Sequence, residues 1–245
     1  MNLSEIVCHL DGLLLTSEIE DYKNAINGLQ IENTEKIEKI SVAVDACETV
    51  IRQAVEAGSS LLIVHHGLFW NGLSPLTGSL YRKVRLAVEG GLAIYSSHLP
   101  LDVHSGVGNN ALFADMLTTQ NFRPFLKIGC QFEDEIPRAE LLSRVGAAVG
   151  GRVHLAPGGP EICRRIGIVT GGAGGEIFKA AAEGVDTFIT GEGPHWSYTA
   201  AEELGLNLLY AGQYATETFG VKALGRHLEE KFGIPWEFID HPTGL

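Results

Sequence analysis

Leu61-Leu62-Ile63-Val64-His65-His66-Gly67 is the stretch from which the rest of the chain is read. Four consecutive apolar residues fit a buried strand, and the run stops at two histidines and a glycine. In an open sheet covered by helices, ligands gather at the carboxyl ends of the strands. Two adjacent imidazoles at such an end can face one crevice, because a chain leaving its strand no longer has to alternate faces. The dipeptide alone reads equally well as a turn with two solvated histidines. The flanking sequence decides between them.

Working outward, apolar residues at helical spacing (Leu3, Ile6, Val7, Leu10, Leu13, Leu14) predict an amphipathic helix over 3–15. Asn27-Gly28 is a turn signal. A strand is expected over 39–44, then a helix over 47–56 closed by Gly58. After 61–66 come a Gly/Ser/Asn/Pro-rich loop over 67–80, a helix near 81–89, a strand at 92–96 and a helix at 109–117. Residues 118–138 lack a clear period and are read as the lobe boundary. The second half gives a helix (138–149), a Pro/Gly-rich loop (156–160), a strand (165–170) and a Gly-rich turn opening a helix to about 183. A strand (186–190), a helix (197–204), a strand (207–210) and a last helix with Val221, Leu224, Leu228 and Phe232 on one face complete it. This alternation predicts the α/β class, with lobes over 1–126 and 127–245.

The bulk properties narrow the function. A chain of 245 residues with 45% hydrophobic and 20% charged can bury a large core. With 18 Lys+Arg against 30 Asp+Glu, the net charge of -12 repels phosphate backbones and argues against direct nucleic-acid binding. It suits cation binding and equally suits plain solubility. Cys8, Cys47, Cys130 and Cys163 contain no Cys-x-x-Cys pair, which speaks against a disulfide framework, a zinc knuckle or a redox dithiol. They read mostly as small buried apolar residues. No basic segment precedes an apolar run at the N-terminus, and no run approaches a membrane-spanning length, so the expectation is a soluble, cytoplasmic protein.

The two halves echo each other. The pattern around Val42, with its helix, Gly58 and strand 61–64, recurs 126 positions on, around Ile168. Further along, His98-x-x-x-Asp102 after Tyr95 parallels Gln213-x-x-x-Glu217 after Tyr210, an offset of 115. Each half thus ends a strand with a polar residue and supplies a carboxylate four residues later. If a pseudo-two-fold axis relates the halves, both carboxylates reach one cleft. This makes His65, His66, Asp102 and Glu217 a candidate mixed N/O ligand set, suited to Zn, Mn, Fe or Co. Taken singly, Asp102 and Glu217 also read as helix caps, and His98 as a core histidine.

The motifs Asn27-Gly28-Leu29-Gln30, Val64-His65-His66-Gly67-Leu68-Phe69-Trp70, His98-Leu99-Pro100-Leu101-Asp102 with Gly108-Asn109-Asn110, Thr170-Gly171-Gly172, Ile189-Thr190-Gly191-Glu192 and Ala211-Gly212-x-x-Ala215-Thr216-Glu217 occur in this order. Together they resemble the Nif-three-like family, also called GTP cyclohydrolase I type 2-like proteins, from about residue 27 to the end. The resemblance implies two similar α/β lobes, a dinuclear divalent-metal site in the cleft between them and often a toroidal homo-hexamer. By position, the family's metal ligands fall on His65, His66, Asp102 and Glu217. Gln213 stands where the family usually has histidine, and a neutral amide oxygen is the weaker ligand for late first-row ions. His195, on another strand-end loop, is a candidate to compensate.

Two close ions lower the pKa of a bridging water and clamp a substrate oxygen, which suits hydrolysis of a small molecule such as a nucleotide. His98 and His195 are the candidate catalytic side chains; His98 could equally be an outer partner or a ligand. The resemblance points to ring-opening of GTP. The alternative is a metal-binding regulatory or interaction protein without turnover. The Gly-rich segment at 171–175 could form an amide nest for a phosphate, or simply a tight turn.

Overall fold

Long apolar runs make the central strands, and short polar ones make the edges. The computed structural model describes residues 1–33, 36–70, 72 and 74–245. In chain order the elements are α1 (Leu3–Leu14), β1 (Gly28–Ile31), β2 (Ile40–Asp45), α2 (Glu48–Glu56), β3 (Leu61–His66), α3 (Gly78–Glu89), β4 (Ala93–Ser96) and the short α4 (Leu99–Asp102). There follow α5 (Asn109–Leu117), β5 (Arg123–Phe125), β6 (Gly129–Pro137), α6 (Arg138–Val149), β7 (His154–Pro157) and β8 (Ile162–Val169). A 3-10 turn (Gly174–Glu176) leads into α7 (Ile177–Ala182), β9 (Thr187–Thr190), α8 (Trp196–Leu204), β10 (Asn207–Tyr210), α9 (Gln213–Thr216), α10 (Thr218–Phe232) and β11 (Trp236–Phe238).

The chain forms two units. Met1–Leu101 with Gly220–His241 carries the sheet β1-β4-β3-β2-β11; Asp102–Phe219 with Pro242–Leu245 carries β5-β6-β8-β9-β10-β7. The division therefore falls at 101/102, 219/220 and 241/242, whereas an uninterrupted split at 126/127 is the sequence expectation. Two contacts account for the difference. Phe113, Ala114 and Leu117 of α5 pack with Phe132 and Ile136 of β6 and Cys163, Ile166 and Ile168 of β8. At the other end, β11 returns to pair in parallel with β2, as Trp236 beside Ile40.

Each unit holds a parallel trio, β2-β3-β4 in one and β8-β9-β10 in the other. The duplication is visible in the register: Val42 sits beside Ile63, and Ile168 beside Ile189, both 126 positions on. For the third strands, Ile63 pairs with Tyr95 but Ile189 with Leu209, an offset of 114. The sequence offset of 115 is thus one residue out of strand register.

In the first unit, Val50, Ile51 and Ala54 of α2 and Ala87 of α3 pack on Leu62, Val64 and Ile94. In the second, Ile177 and Ala180 of α7 and Ala200 and Ala201 of α8 pack on Val169, Phe188 and Leu208. The first helix begins where expected, because Asn2 and Glu5 form a reciprocal capping box. The aperiodic stretch over 118–138 holds β5 and the nine-residue β6. Its exposed Glu133 and Glu135 and a register shift between Glu133 and Ile136 hide the alternation. Cys130 and Cys163 are buried, Cys47 is partly covered and Cys8 is exposed. Burial pushes the Cys130 thiol up to about 12, so it is inert at neutral pH. Among the described residues no helix is long and apolar enough to cross a membrane.

Candidate metal centre

Parallel pairing explains why three histidines meet. Val64 on β3 is level with Ser96 on β4, so two residues further His66 and His98 leave the same sheet edge side by side. On the other flank Asp45, the last residue of β2, is level with His66. His65 and His66 both lie inside β3, not in a turn beyond it, so the reading as two solvated turn histidines fails; His65 is fully buried. One nitrogen from each of His65, His66 and His98 lies within 4.8 Å of the others.

Each ring is fixed through Nδ1. His65 Nδ1 is 2.9 Å from the Ser97 carbonyl, His66 Nδ1 is 2.8 Å from Asp45 Oδ1, and His98 Nδ1 is 2.9 Å from Asp21 Oδ1. A carbonyl and two carboxylates can only accept, so all three rings donate from Nδ1 and carry their lone pair on Nε2. Carboxylate or carbonyl behind a histidine, with the other nitrogen presented, is the outer arrangement of metal-ligating imidazoles. The donor set therefore fits a divalent ion of the Zn, Mn, Fe or Co type. Trp70 closes one side, standing edge-on to His98 at 4.9 Å and to His66 at 5.7 Å.

Asp21 is the partner that sequence reasoning missed. It takes hydrogen bonds from His98, from the Leu99 amide at 3.1 Å and from Asn27 Nδ2 at 2.8 Å, while Asn27 Oδ1 accepts from the His98 amide at 2.7 Å. The turn signal Asn27-Gly28 is therefore a site element, and Asp45 could have been found from its place at the end of β2. Burial opposes ionisation of Asp21, but the bonds from His98 and Asn27, the charge that His98 carries once protonated in acid, and the Tyr22 amide outweigh it and hold the carboxyl at about 2. A depressed carboxyl contributes stability that is fully present above its ordinary value of 3.8 and is lost as pH falls through about 2. Acid unfolding of the metal-free protein should steepen in that window in wild type but not in Asp21→Asn. Superimposable acid profiles would show that this network adds nothing.

Gly67 follows the histidines because nothing larger fits. A Cβ there would lie 2.3 Å from Gln30 Nε2. Gln30 cannot easily yield, since its Oε1 accepts from Leu68 N at 2.6 Å and its Nε2 donates to Ile26 O at 2.7 Å. Gly67→Ala should cost about 1–3 kcal/mol as overpacking, read by urea unfolding. An unchanged midpoint would mean that Gln30 moves freely.

The second unit holds the remaining sequence candidates. Asp102 and Glu217 are both buried. Asp102 Oδ1 accepts from Asn109 Nδ2 at 2.8 Å and from Thr170 Oγ1 at 3.4 Å. A Cβ on the next residue, Gly171, would lie 2.2 Å from Glu217 Oε1, and one on Gly172 would lie 3.1 Å from Gln213 Oε1. Asp102, Glu217 and Gln213 thus all reach the single stretch Thr170-Gly171-Gly172. This also answers the nest reading of the glycines: the amides of Gly171, Ala173 and Gly174 are taken by Thr216 Oγ1, Thr190 Oγ1 and the Glu192 carbonyl. Three of the five amides of this turn are thus committed within the fold. His195 lines a cavity with His154, Tyr198 and Tyr210. Among the described residues the close donor group is His65, His66 and His98, which puts His98 beside the two histidines of β3.

A two-sheet α/β protein with an oriented three-histidine group is the class defined by this fold and site. The chain matches the Duf34/NIF3 (NGG1p interacting factor 3) family over residues 1–243 and belongs to it. A Deinococcus radiodurans protein named GTP cyclohydrolase 1 type 2 homolog is 40% identical over 228 residues, covering 90% of this chain and 87% of the relative. A Pyrococcus abyssi protein of the same name is 38% identical, with both chains covered completely. Among solved structures, TTHA1606 from Thermus thermophilus aligns with a TM-score of 0.94 at 38% identity over 100% of both chains.

Proposed function

We propose that this protein is a divalent-metal-dependent hydrolase of small, nucleotide-like molecules. The observation that carries the reading is the trio His65, His66 and His98, each donating from Nδ1 to an oxygen, with one nitrogen of each ring within 4.8 Å of the others. A bound divalent ion supplies a lowered water pKa and a Lewis acid for a substrate oxygen. The chain's own part is to hold the three rings: Ser97, Asp45 and Asp21 set their tautomers, and Trp70 covers the flank of His98 and His66. The motif series assigns Asp102 and Glu217, with Gln213 beside them, to the same chemistry and two ions per chain. It also assigns a homo-hexamer, for which light scattering is the test. The names of the relatives support a nucleotide-like substrate.

The test is turnover of GTP, other nucleotides, phosphoesters and small amides by metal-loaded and chelated protein. Activity with at least one class, lost on chelation and in His98→Ala, is the expected result. No turnover of any class by fully loaded protein sinks the hydrolase reading.

A second reading, a metal-holding regulatory or interaction protein, is favoured by Gln213 in the position where the family usually has histidine. Gln213→Ala separates the two, since it alters the rate of an enzyme and leaves the partner binding of a module unchanged.

A further inference from the structure

We infer that His9 and His227 form a second metal-binding site, a two-imidazole clip between α1 and α10 for a late first-row divalent ion of the Ni, Cu or Zn type. The inference goes beyond the hydrolase reading and does not rest on it, since none of its residues belongs to the trio His65, His66 and His98. Both histidines lie in the first unit.

The sequence puts each of them at the rim of a buried stripe. Ile6, Leu10 and Leu14 are covered positions of α1, and Leu224 and Leu228 are covered positions of α10. His9 follows Ile6 by three and precedes Leu10; His227 follows Leu224 by three and precedes Leu228. At helical spacing both therefore stand beside the packed face rather than inside it, and both are half-buried. The two rings stack with centroids 5.0 Å apart and planes 13° from parallel, and Phe232 stands edge-on to His9 at 5.4 Å. This contact turns the same atom of each ring inward. His9 Nε2 is 2.7 Å from His227 Nε2.

Two imidazoles so placed share either a proton or an ion. A proton needs one Nε2–H facing one bare Nε2, whereas an ion needs both bare. Among the described residues no group hydrogen-bonds Nδ1 of either ring, so each can carry its proton there and turn its Nε2 lone pair to the ion. With bonds of about 2.0–2.1 Å, an ion sets two neighbouring nitrogens about 2.9–3.3 Å apart, so the rings need part by only a few tenths of an ångström. Burial, the Lys231 charge and His227 all lower the His9 pKa below 6.5, which keeps that ring neutral and able to ligate. Imidazoles without a carboxylate favour Ni, Cu and Zn over Mg, Ca and Mn. Lys231, whose Nζ sits over the Phe232 ring at 5.6 Å, repels a metal ion as well as a proton. With two protein ligands and that charge nearby, the clip holds its ion more weakly than the trio and gives it up when excess metal is removed. An ion held there ties α1 to α10 and stabilises the first unit by mass action.

The experiment is calorimetric titration of the Zn-loaded full chain, freed of excess Zn, with Ni²⁺ above neutral pH, beside His9→Gln, His227→Gln and His65→Ala. Glutamine can keep a hydrogen bond across the two helices but is a weak ligand for these ions, so it separates a shared proton from a shared metal. Wild type should take up one Ni²⁺ per chain, His65→Ala should keep that uptake, and each glutamine variant should weaken it about tenfold or more. Ni²⁺ should also raise the melting temperature of wild type but not of His9→Gln; circular-dichroism melts without metal show that each variant is folded. An affinity unchanged in either glutamine variant, loss of the uptake in His65→Ala, or no Ni²⁺ taken up by folded wild type overturns the clip. Any of these, with metal-dependent turnover intact, leaves the hydrolase reading standing. Ni²⁺ uptake lost only in the glutamine variants, with no turnover of any class, removes the hydrolase reading and keeps the clip.

Discussion

His65→Ala should lose metal more completely than any other single change in the first unit. Its imidazole is fully buried at the end of β3, with Nδ1 held by the Ser97 carbonyl and Nε2 presented to His66 and His98. Removal of an outer hydrogen-bond partner from a metal site costs about 10–100-fold in affinity, and removal of a ligand should exceed that. Competition with a chromophoric chelator reads the difference: His65→Ala should fall by more than about 100-fold, with Asp21→Asn and Asp45→Asn inside the 10–100-fold range. The truncation also leaves the Ser97 carbonyl buried without its donor, a cost of about 1–3 kcal/mol in the metal-free fold. If His65→Ala binds as tightly as Asp45→Asn, His65 is a packed core histidine and not a ligand.

Gly171→Ala should damage the second unit severely. Gly171 has φ +75°, a conformation that costs an L-residue about 1–2 kcal/mol. Its new methyl would lie 2.2 Å from Glu217 Oε1, inside a cluster whose backbone is already committed: the Gly171 amide donates to Thr216 Oγ1, and the Gly171 carbonyl accepts from Thr190 Oγ1 and Gly191 N. Overpacking adds about 1–3 kcal/mol. At roughly 2–4 °C per kcal/mol for a chain of this size, the melting temperature should drop well beyond error, by calorimetry. Gly151→Ala, where the nearest atom to a new Cβ is 3.9 Å away and φ is not positive, is the control. Equal melting of the two variants would show that Glu217 moves aside without cost.

The sequence reveals the six strands of the two parallel trios because each carries an apolar run between helices, and their repeat spacing anticipates the register of Val42 with Ile63 and of Ile168 with Ile189. Strands β1, β5, β7 and β11 are short edge pieces of three or four residues, too brief for a period. The core strand β6 is masked by Glu133, Asp134 and Glu135, which occupy its irregular stretch. His65 and His66 are legible from their place at a strand end. The role of His98 is not, since it depends on Val64 pairing with Ser96, and pairing between parallel strands is set by packing rather than by local sequence. The same holds for Asp21, which is brought to His98 across 77 positions. Gln213 is legible as a departure from the family pattern. Its setting against Gly172 and Glu192 comes only from the folded turn.

Metal per chain is the measurement that tests the account most directly. Protein purified without chelators or affinity metals is loaded with Zn or Mn, freed of excess and analysed for its elements, beside His65→Ala and Glu217→Gln. At least one ion per chain in wild type, absent from His65→Ala, is the predicted result; two ions, with one lost in Glu217→Gln, would show that Glu217 also holds a metal. No bound ion in loaded wild type, or an equal content in His65→Ala, would contradict the claim that these histidines hold a metal.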